Sequence, residues 1–233
     1  MNAATEQTLP MPKQTSSAYM ILVMTAVATL CGLLIVTAYQ ATAPAIARNQ
    51  AQIIEESVFE VLPNATRQVA FAVDAAGGTV TVDAEGQSAL PKIFAGYDDS
   101  GALVGIAVEA SGRGYQDIIR VLYSYSPDCG CINGFKVLDH KETPGLGDKI
   151  ITDPDFQKNF EKLDATLDPA TSTPVNEIVT VKHGTKSEPW QIDAISGATI
   201  SSKAIGRIMQ SSTDEMLPVI TAHLDDIRKA GTS

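Results

Sequence analysis

Between Tyr19 and Gln40 the chain reads YMILVMTAVATLCGLLIVTAYQ, twenty-two residues without a charge. Nothing else in the sequence restricts the fold as strongly. In hydrocarbon every backbone N–H and C=O must be satisfied by the protein itself, so a lone span of this kind has to be helical. At 1.5 Å per residue it makes about 33 Å of helix, enough to cross a hydrocarbon core of roughly 30 Å. Tyr19 and Tyr39 stand near its ends, where amphipathic rings favour the headgroup level. A cleavable signal peptide is the competing reading, with Ala41-Thr42-Ala43 as its small-residue cleavage site. The stretch exceeds the roughly 7–15 residues of a signal peptide's apolar region, so an uncleaved anchor is expected. A lipoprotein reading of Cys31 fails because Leu30 occupies a position that needs a small residue.

Glu6 and Lys13 are the charges that precede this segment, in a chain of formal net charge −10. Lys13 before it and Arg48 after it barely discriminate orientation by the positive-inside count. The short leader, residues 1–18, predicts a cytoplasmic N-terminus and export of the remainder. The exported part is then acidic, which excludes nucleic acid as a natural partner.

Beyond the anchor, residues 41–64 read as a linker helix. Ile46, Ile53, Ile54, Val58 and Leu62 fall near helical spacing, with Glu55, Glu56 and Glu60 between them. Pro63-Asn64 ends the pattern. Residues 65–233 then form the globular domain. Strand pairs are predicted at 68–74 with 79–83, at 92–98 with 102–110, and at 115–126 with 132–139, each pair joined by a turn-forming string. Helices are predicted at 155–163, 201–210 and 213–228, the last kinked or started by Pro218, and a strand at 177–182. Antiparallel strands followed by helices predict an α+β domain with its sheet covered on one side.

Two strings carry chemistry. Asp193-Ala194-Ile195-Ser196-Gly197-Ala198-Thr199 places a small-residue turn before a helix and ends on a hydroxyl. Free N–H groups at a helix start can hold a phosphate, and Ser201, Ser202 and Lys203 add donors and positive charge there. A plain N-cap by Thr199 or Ser201 is the bland alternative. His140 to Ile150, with Glu142-Thr143-Pro144-Gly145-Leu146-Gly147 at its centre, reads as a rigid loop, or as a mere connector between sheet and helix.

The first string resembles the recognition sequence of covalent flavinylation. Together the two resemble the FMN-binding domain of the G subunit of the Rnf electron transport complex, and of its relative, the C subunit of the sodium-pumping NADH:quinone reductase. Asp148-Lys149-Ile150 and Asp193-Ala194-Ile195 look more like the Rnf protein. The resemblance implies FMN joined through its phosphate to Thr199. Asp193, Ser196, Gly197 and Ala198 would be read by the flavin transferase, and Glu142, Thr143, Gly145, Leu146 and Gly147 would lie against the flavin. Ser111-Gly112-Arg113-Gly114-Tyr115 resembles a further Gly-rich stretch of that family. Threonine is a weak nucleophile at its free pKa, so the resemblance also implies a separate Mg²⁺-dependent transferase with FAD as donor. The expected partners are that enzyme and the other membrane subunits of an ion-translocating ferredoxin:NAD⁺ oxidoreductase. The expected location is the inner membrane, single-pass, with the C-terminal domain on the extracytoplasmic side. The rivals are the corresponding quinone-reductase component and a non-redox anchored module.

Cys129-Gly130-Cys131 departs from that family's pattern. It reads as two incidental thiols, as a local disulfide, or as half of a cluster site completed by a neighbouring subunit. His140, His183 and His223 show no ligand spacing, so no mononuclear metal site is expected. Trp190 reads as a core residue that could instead pack near a flavin.

Overall fold

The computed structural model describes residues 16–74, 77–83 and 90–232; residues 1–15 of the expected leader lie outside them. The chain divides into two compact units, Met1–Ala51 and Gln52–Ser233. Helix α1 runs over Ser17–Val61 and continues through Pro44, so anchor and linker belong to one helix, with no break at 41–44. It is long and apolar enough to cross a membrane. In the first unit its leucines and isoleucines, Leu22, Leu33 and Ile35 among them, are exposed.

The second unit is built on seven antiparallel strands. They are β1 (Arg67–Asp74), β2 (Thr79–Val82), β3 (Lys92–Tyr97), β4 (Leu103–Arg113), β5 (Ile118–Ser126), β6 (Cys131–Asp139) and β7 (Leu163–Asp164), in the order β2-β1-β3-β4-β5-β6-β7. Alternation sorts their side chains between two faces. Ile119, Val121, Tyr123 and Tyr125 of β5 point into the larger core with Ile106 and Val108 of β4, while Leu122 and Ala107 point to the other side. Helix α4 (Thr199–Ala222) covers the larger core with Ile205, Met209, Leu217 and Ile220.

The opposite face is covered as well, by Val58, Val61 and Leu62 from the end of α1 and the turn after it. The expected one-sided sheet is therefore two-sided. Close approach is possible because β3, β4 and β6 present glycines there. A Cβ on Gly96 or Gly105 would stand 2.8 Å from a Leu62 methyl, and one on Gly134 would stand 2.6 Å from the Val61 carbonyl oxygen.

The helices differ from the sequence pattern in three places. After α2 (Lys149–Thr152), residues 155–163 form a short α3 (Pro154–Gln157), a 3₁₀ turn (Lys158–Phe160) and then β7. Asp153 caps α3 by accepting from the Asp155 and Phe156 N–H groups, and Leu163 is drawn off to pair with Ile132. The two expected C-terminal helices are one, α4, because buried residues continue at helical spacing through Ser211-Ser212 and Pro218. The chain breaks at His223 instead, before α5 (Leu224–Lys229). The strand expected at 177–182 is β8 (Val179–Val181), paired in parallel with β9 (Gln191–Asp193), which the sequence pattern did not reveal.

Candidate functional site

The two strings meet in one cleft of about 320 Å³, lined by Glu142, Thr143, Leu146 and Gly147 from one and Gly197, Ala198 and Thr199 from the other. Tyr115, Ile200 and Ser201 complete the lining.

The Ser196–Thr199 turn is built locally. Ala198 N–H donates to the Ile195 carbonyl at 3.1 Å, and the bend needs the positive φ of +83° at Gly197. The Ser202 hydroxyl donates to the Ala198 carbonyl and accepts from Ile195 N–H, both at 3.0 Å. It staples the turn to the helix. Helix α4 then starts at Thr199 with Ala198 as its N-cap and no side-chain cap. The N–H groups of Thr199, Ile200 and Ser201 have no hydrogen-bond partner among the described residues. Thr199 itself is exposed. An uncapped helix start of this kind attracts an anion through its free N–H groups and its dipole.

The second wall is organised by Glu142, which is 4 % exposed. Its Oε1 accepts from the N–H groups of Tyr115 at 2.8 Å and Gln116 at 3.1 Å, and its Oε2 accepts from the Ser201 hydroxyl. A buried carboxyl group needs such partners. One side chain thereby joins the β4–β5 turn, the 140–147 loop and the first turn of α4. Two glycines make room for it: a Cβ at Gly114 or Gly147 would stand 2.5 Å or 2.7 Å from a Glu142 oxygen. The Thr143 carbonyl accepts from Leu146 and Gly147 N–H to close the loop, with Gly145 at φ +75°. Outside, Lys141 Nζ donates to Asp117 at 2.6 Å; the ammonium holds the Asp117 carboxyl below its ordinary range, and Asp117 raises Lys141.

The rim of the cleft is apolar. Tyr115, Leu146 and Ile200 are 60 %, 52 % and 56 % exposed, and all three border the same opening. Water-facing apolar groups gathered around a polar floor are what a ligand with a flat ring and an anionic tail would cover.

Several expected residues are elsewhere. Asp193 does not line the cleft: both of its carboxyl oxygens accept from Gly184 N–H, at 2.8 and 3.1 Å, fixing the turn after β8. Its own N–H donates to Asn159 Oδ1, which also accepts from Lys186; burial pushes that lysine down. Ser196 and Gly145 shape their turns without lining the cleft. Of 111–115, Tyr115 lines it; Ser111 to Gly114 line a neighbouring hollow with Arg207. The hydroxyls of Ser201 and Ser202 were expected as phosphate donors, but both are turned inward to protein acceptors. Trp190 is half-buried and belongs neither to the cleft nor to the core. Ile200 escaped notice because an apolar residue that is exposed carries no pattern of its own.

The expectation of cluster ligands at Cys129 and Cys131 is corrected. The two are joined in a disulfide, so neither offers a thiolate. Among the described residues no cluster of metal-ligating side chains occurs. His140 Nδ1 accepts from Glu142 N–H, and His183 and His223 contact the carbonyls of Ala194 and Gly78. A larger hollow of about 480 Å³, bordered by Lys92, Glu109 and Glu215, contains no residue of the Glu142–Gly147 loop or the Asp193–Thr199 string.

Residues 114–214 match the FMN-binding domain, a span that holds both walls of the cleft. The G subunit of the ion-translocating oxidoreductase complex of Methanosarcina acetivorans is 34 % identical over 194 residues, covering 83 % of this chain and 91 % of that one. The G subunit of the proton-translocating ferredoxin:NAD(+) oxidoreductase complex of Clostridium ljungdahlii is 28 % identical over 80 % of this chain and 84 % of its own. Among solved structures, NqrC of Shewanella oneidensis superposes with a TM-score of 0.53 at 22 % identity, covering 75 % of this chain and 88 % of that one. At that identity the likeness is one of fold.

Proposed function

The chain belongs to the family of G subunits of ion-translocating oxidoreductase complexes, and we propose that it carries FMN esterified through its phosphate to Thr199 and relays electrons between the other membrane subunits of such a complex. One observation carries this reading. An exposed threonine stands at an uncapped helix start, in the same cleft as the Glu142–Gly147 loop and an apolar rim. The residues present fit the group: the N–H groups of Thr199, Ile200 and Ser201 suit a phosphate, and Tyr115, Leu146 and Ile200 suit a ring system. Bound FMN would supply the electron-carrying chemistry, with its potential tuned by the hydrogen bonds and charges around it. The chain's own residues bind, orient and shield; none is required as a general acid or base.

Attachment is the work of a separate flavin transferase using FAD and Mg²⁺. Glu142 is the carboxyl group in the cleft, and both its oxygens are already engaged by donors. It is not free to activate the Thr199 hydroxyl. Helix α1 anchors the chain in the inner membrane, and the domain beyond it faces the extracytoplasmic side. The Cys129–Cys131 disulfide supports that placement, since such bonds persist in oxidising compartments.

Denaturing electrophoresis under ultraviolet light tests the linkage. Protein from cells that contain the transferase should give a fluorescent band at the chain's mass, and Thr199→Val should abolish it. A dark wild-type band, with the bare polypeptide weight by intact-mass spectrometry, would refute covalent flavinylation.

A further inference from the structure

Cys129 and Cys131 lie outside everything the flavin cleft uses. They bracket Gly130 at the tip of the β5–β6 hairpin. Strand β6 then runs nine residues before the chain reaches Glu142, so about 30 Å of strand separates the pair from the cleft. The bond between them spans a sequence separation of 2. Closing so short a loop removes little freedom from the unfolded chain.

Nor does the hairpin depend on that bond. β5 and β6 pair from Ser126↔Cys131 to Arg120↔Asp139, with register shifts at Ser124/Tyr125 and Arg120/Val121, and Cys131 also pairs with Asp164 of β7. The Gly130 carbonyl accepts from Ala165 N–H at 3.0 Å. Each of these contacts that fix the tip is made by backbone.

The sulfurs are unequally accessible. Cys129 is exposed, whereas Cys131 is 5 % exposed. Gly130 holds the spacing at φ +58°, and a Cβ there would stand 3.2 Å from Thr166 Oγ1. Of the nearby acids, Asp128 is paired with Arg228 at 3.2 Å, and Asp164 accepts from the Thr166 hydroxyl. An exposed sulfur joined to a shielded one, in a cross-link that constrains nothing, has the properties of a labile disulfide rather than a structural one.

We propose that Cys129-Gly130-Cys131 is a thiol–disulfide exchange site, reduced and reoxidised by a dithiol redox protein of the extracytoplasmic side. A partner thiolate attacks Cys129 Sγ, the S–S bond breaks, and Cys131 leaves as a thiolate that takes up a proton. The partner's second thiolate attacks the mixed disulfide and releases Cys129, which is protonated in turn. Two electrons and two protons pass to this chain, and the partner's dithiol becomes a disulfide.

The test uses the full chain in detergent, with dithiothreitol as the reductant and maleimide–polyethylene glycol to count thiols. Cys31 is free and provides an internal reference. The folded chain is treated with millimolar dithiothreitol, its thiols are trapped in acid, the reductant is removed, and labelling follows in SDS so that the shielded Cys131 and the helix thiol Cys31 both react. The label count should rise from one to three, and oxidised glutathione should return it to one. The urea midpoint should stay in place throughout, and in Cys129→Ser/Cys131→Ser as well. A bond that opens only after unfolding, or whose reduction moves the urea midpoint, would mark a structural cross-link and overturn the proposal. So would a purified chain that already shows three labels and cannot be closed. None of these readouts involves flavin, so the result is independent of Thr199.

Discussion

The Ser201 hydroxyl donates to Glu142 Oε2 where the 140–147 loop meets the first turn of α4. Both residues are buried, and this contact ties the two walls of the cleft across 59 residues of sequence. Ser201→Ala leaves a buried carboxyl oxygen short of a donor, which costs about 1–3 kcal/mol. We expect a lower urea midpoint with an unchanged m-value, and weaker flavin fluorescence in the denatured band. Full labelling at wild-type stability would show that the contact does not organise the cleft.

Gly147 and Gly197 fail for different reasons when given a side chain. A Cβ at Gly147 meets Glu142 Oε2 at 2.7 Å and Ser201 Oγ at 2.8 Å, whereas nothing lies within 4 Å of one at Gly197. Gly147→Ala should therefore disrupt the Glu142–Ser201 contact, and its effect should shrink in the Ser201→Ala background. At Gly197 the obstacle is the φ of +83°, so alanine should cost about 1–2 kcal/mol. Asparagine, which tolerates that region better, should cost less. Chemical denaturation of the single and double variants separates the two mechanisms.

The seat of Leu62 on the sheet makes a further cycle. Gly105→Ala forces a methyl to 2.8 Å from Leu62 Cδ2, and overpacking of this kind typically costs about 1–3 kcal/mol. The same substitution in a Leu62→Ala chain should cost less, the Tyr125 carbonyl at 3.3 Å being the crowding that remains. Equal penalties in both backgrounds would show that Leu62 does not occupy this seat in solution.

Stability should fall at high pH. The Tyr97 phenol is buried and donates to the Ile227 carbonyl at 2.5 Å; burial pushes its pKa up to about 12, and burial also raises Tyr123 and Tyr125. Their unfolded values lie near 10. Between pH 10 and 12 the unfolded chain releases phenolic protons that the folded chain keeps, so stability present below pH 10 is lost as pH rises. Urea midpoints measured from pH 8 to 11.5 should decline above 10, less steeply in Tyr97→Phe.

At the acid end the signs reverse. Asp117 is held below its ordinary range by Lys141, so its contribution is present above about pH 4 and disappears as pH falls through the lowered value. Both partners are substantially exposed, and water screens such a pair so that it contributes little. Lys141→Ala should shift the Asp117 carboxyl titration upward by NMR while leaving the urea midpoint almost unchanged.

Much of this was legible in the chain. The apolar run, the antiparallel hairpins and the Glu142–Gly147 and Asp193–Thr199 strings are local patterns, and local patterns are set by torsional preference and side-chain alternation. The division of labour within the strings was not legible. Asp193 sits in the Asp193–Thr199 string yet serves Gly184 and Asn159, because strand pairing with β8 turns it away from the cleft. Ser201 and Ser202 look equivalent, but helical geometry sends one to Glu142 and the other to Ile195.

Sequence alone required a helix containing residues 19–40, a sheet after it, and a helix close behind the Ser196–Thr199 turn, though not that the helix starts at Thr199. Each follows from how one short stretch satisfies its own backbone. Tertiary structure alone decided that Glu142 lies beside Ser201, that Tyr115 joins Leu146 and Ile200 at the rim, and that Cys129 and Cys131 close on each other. Those relations depend on which strands pair and in what register, which is settled by burying apolar surface across the whole sheet.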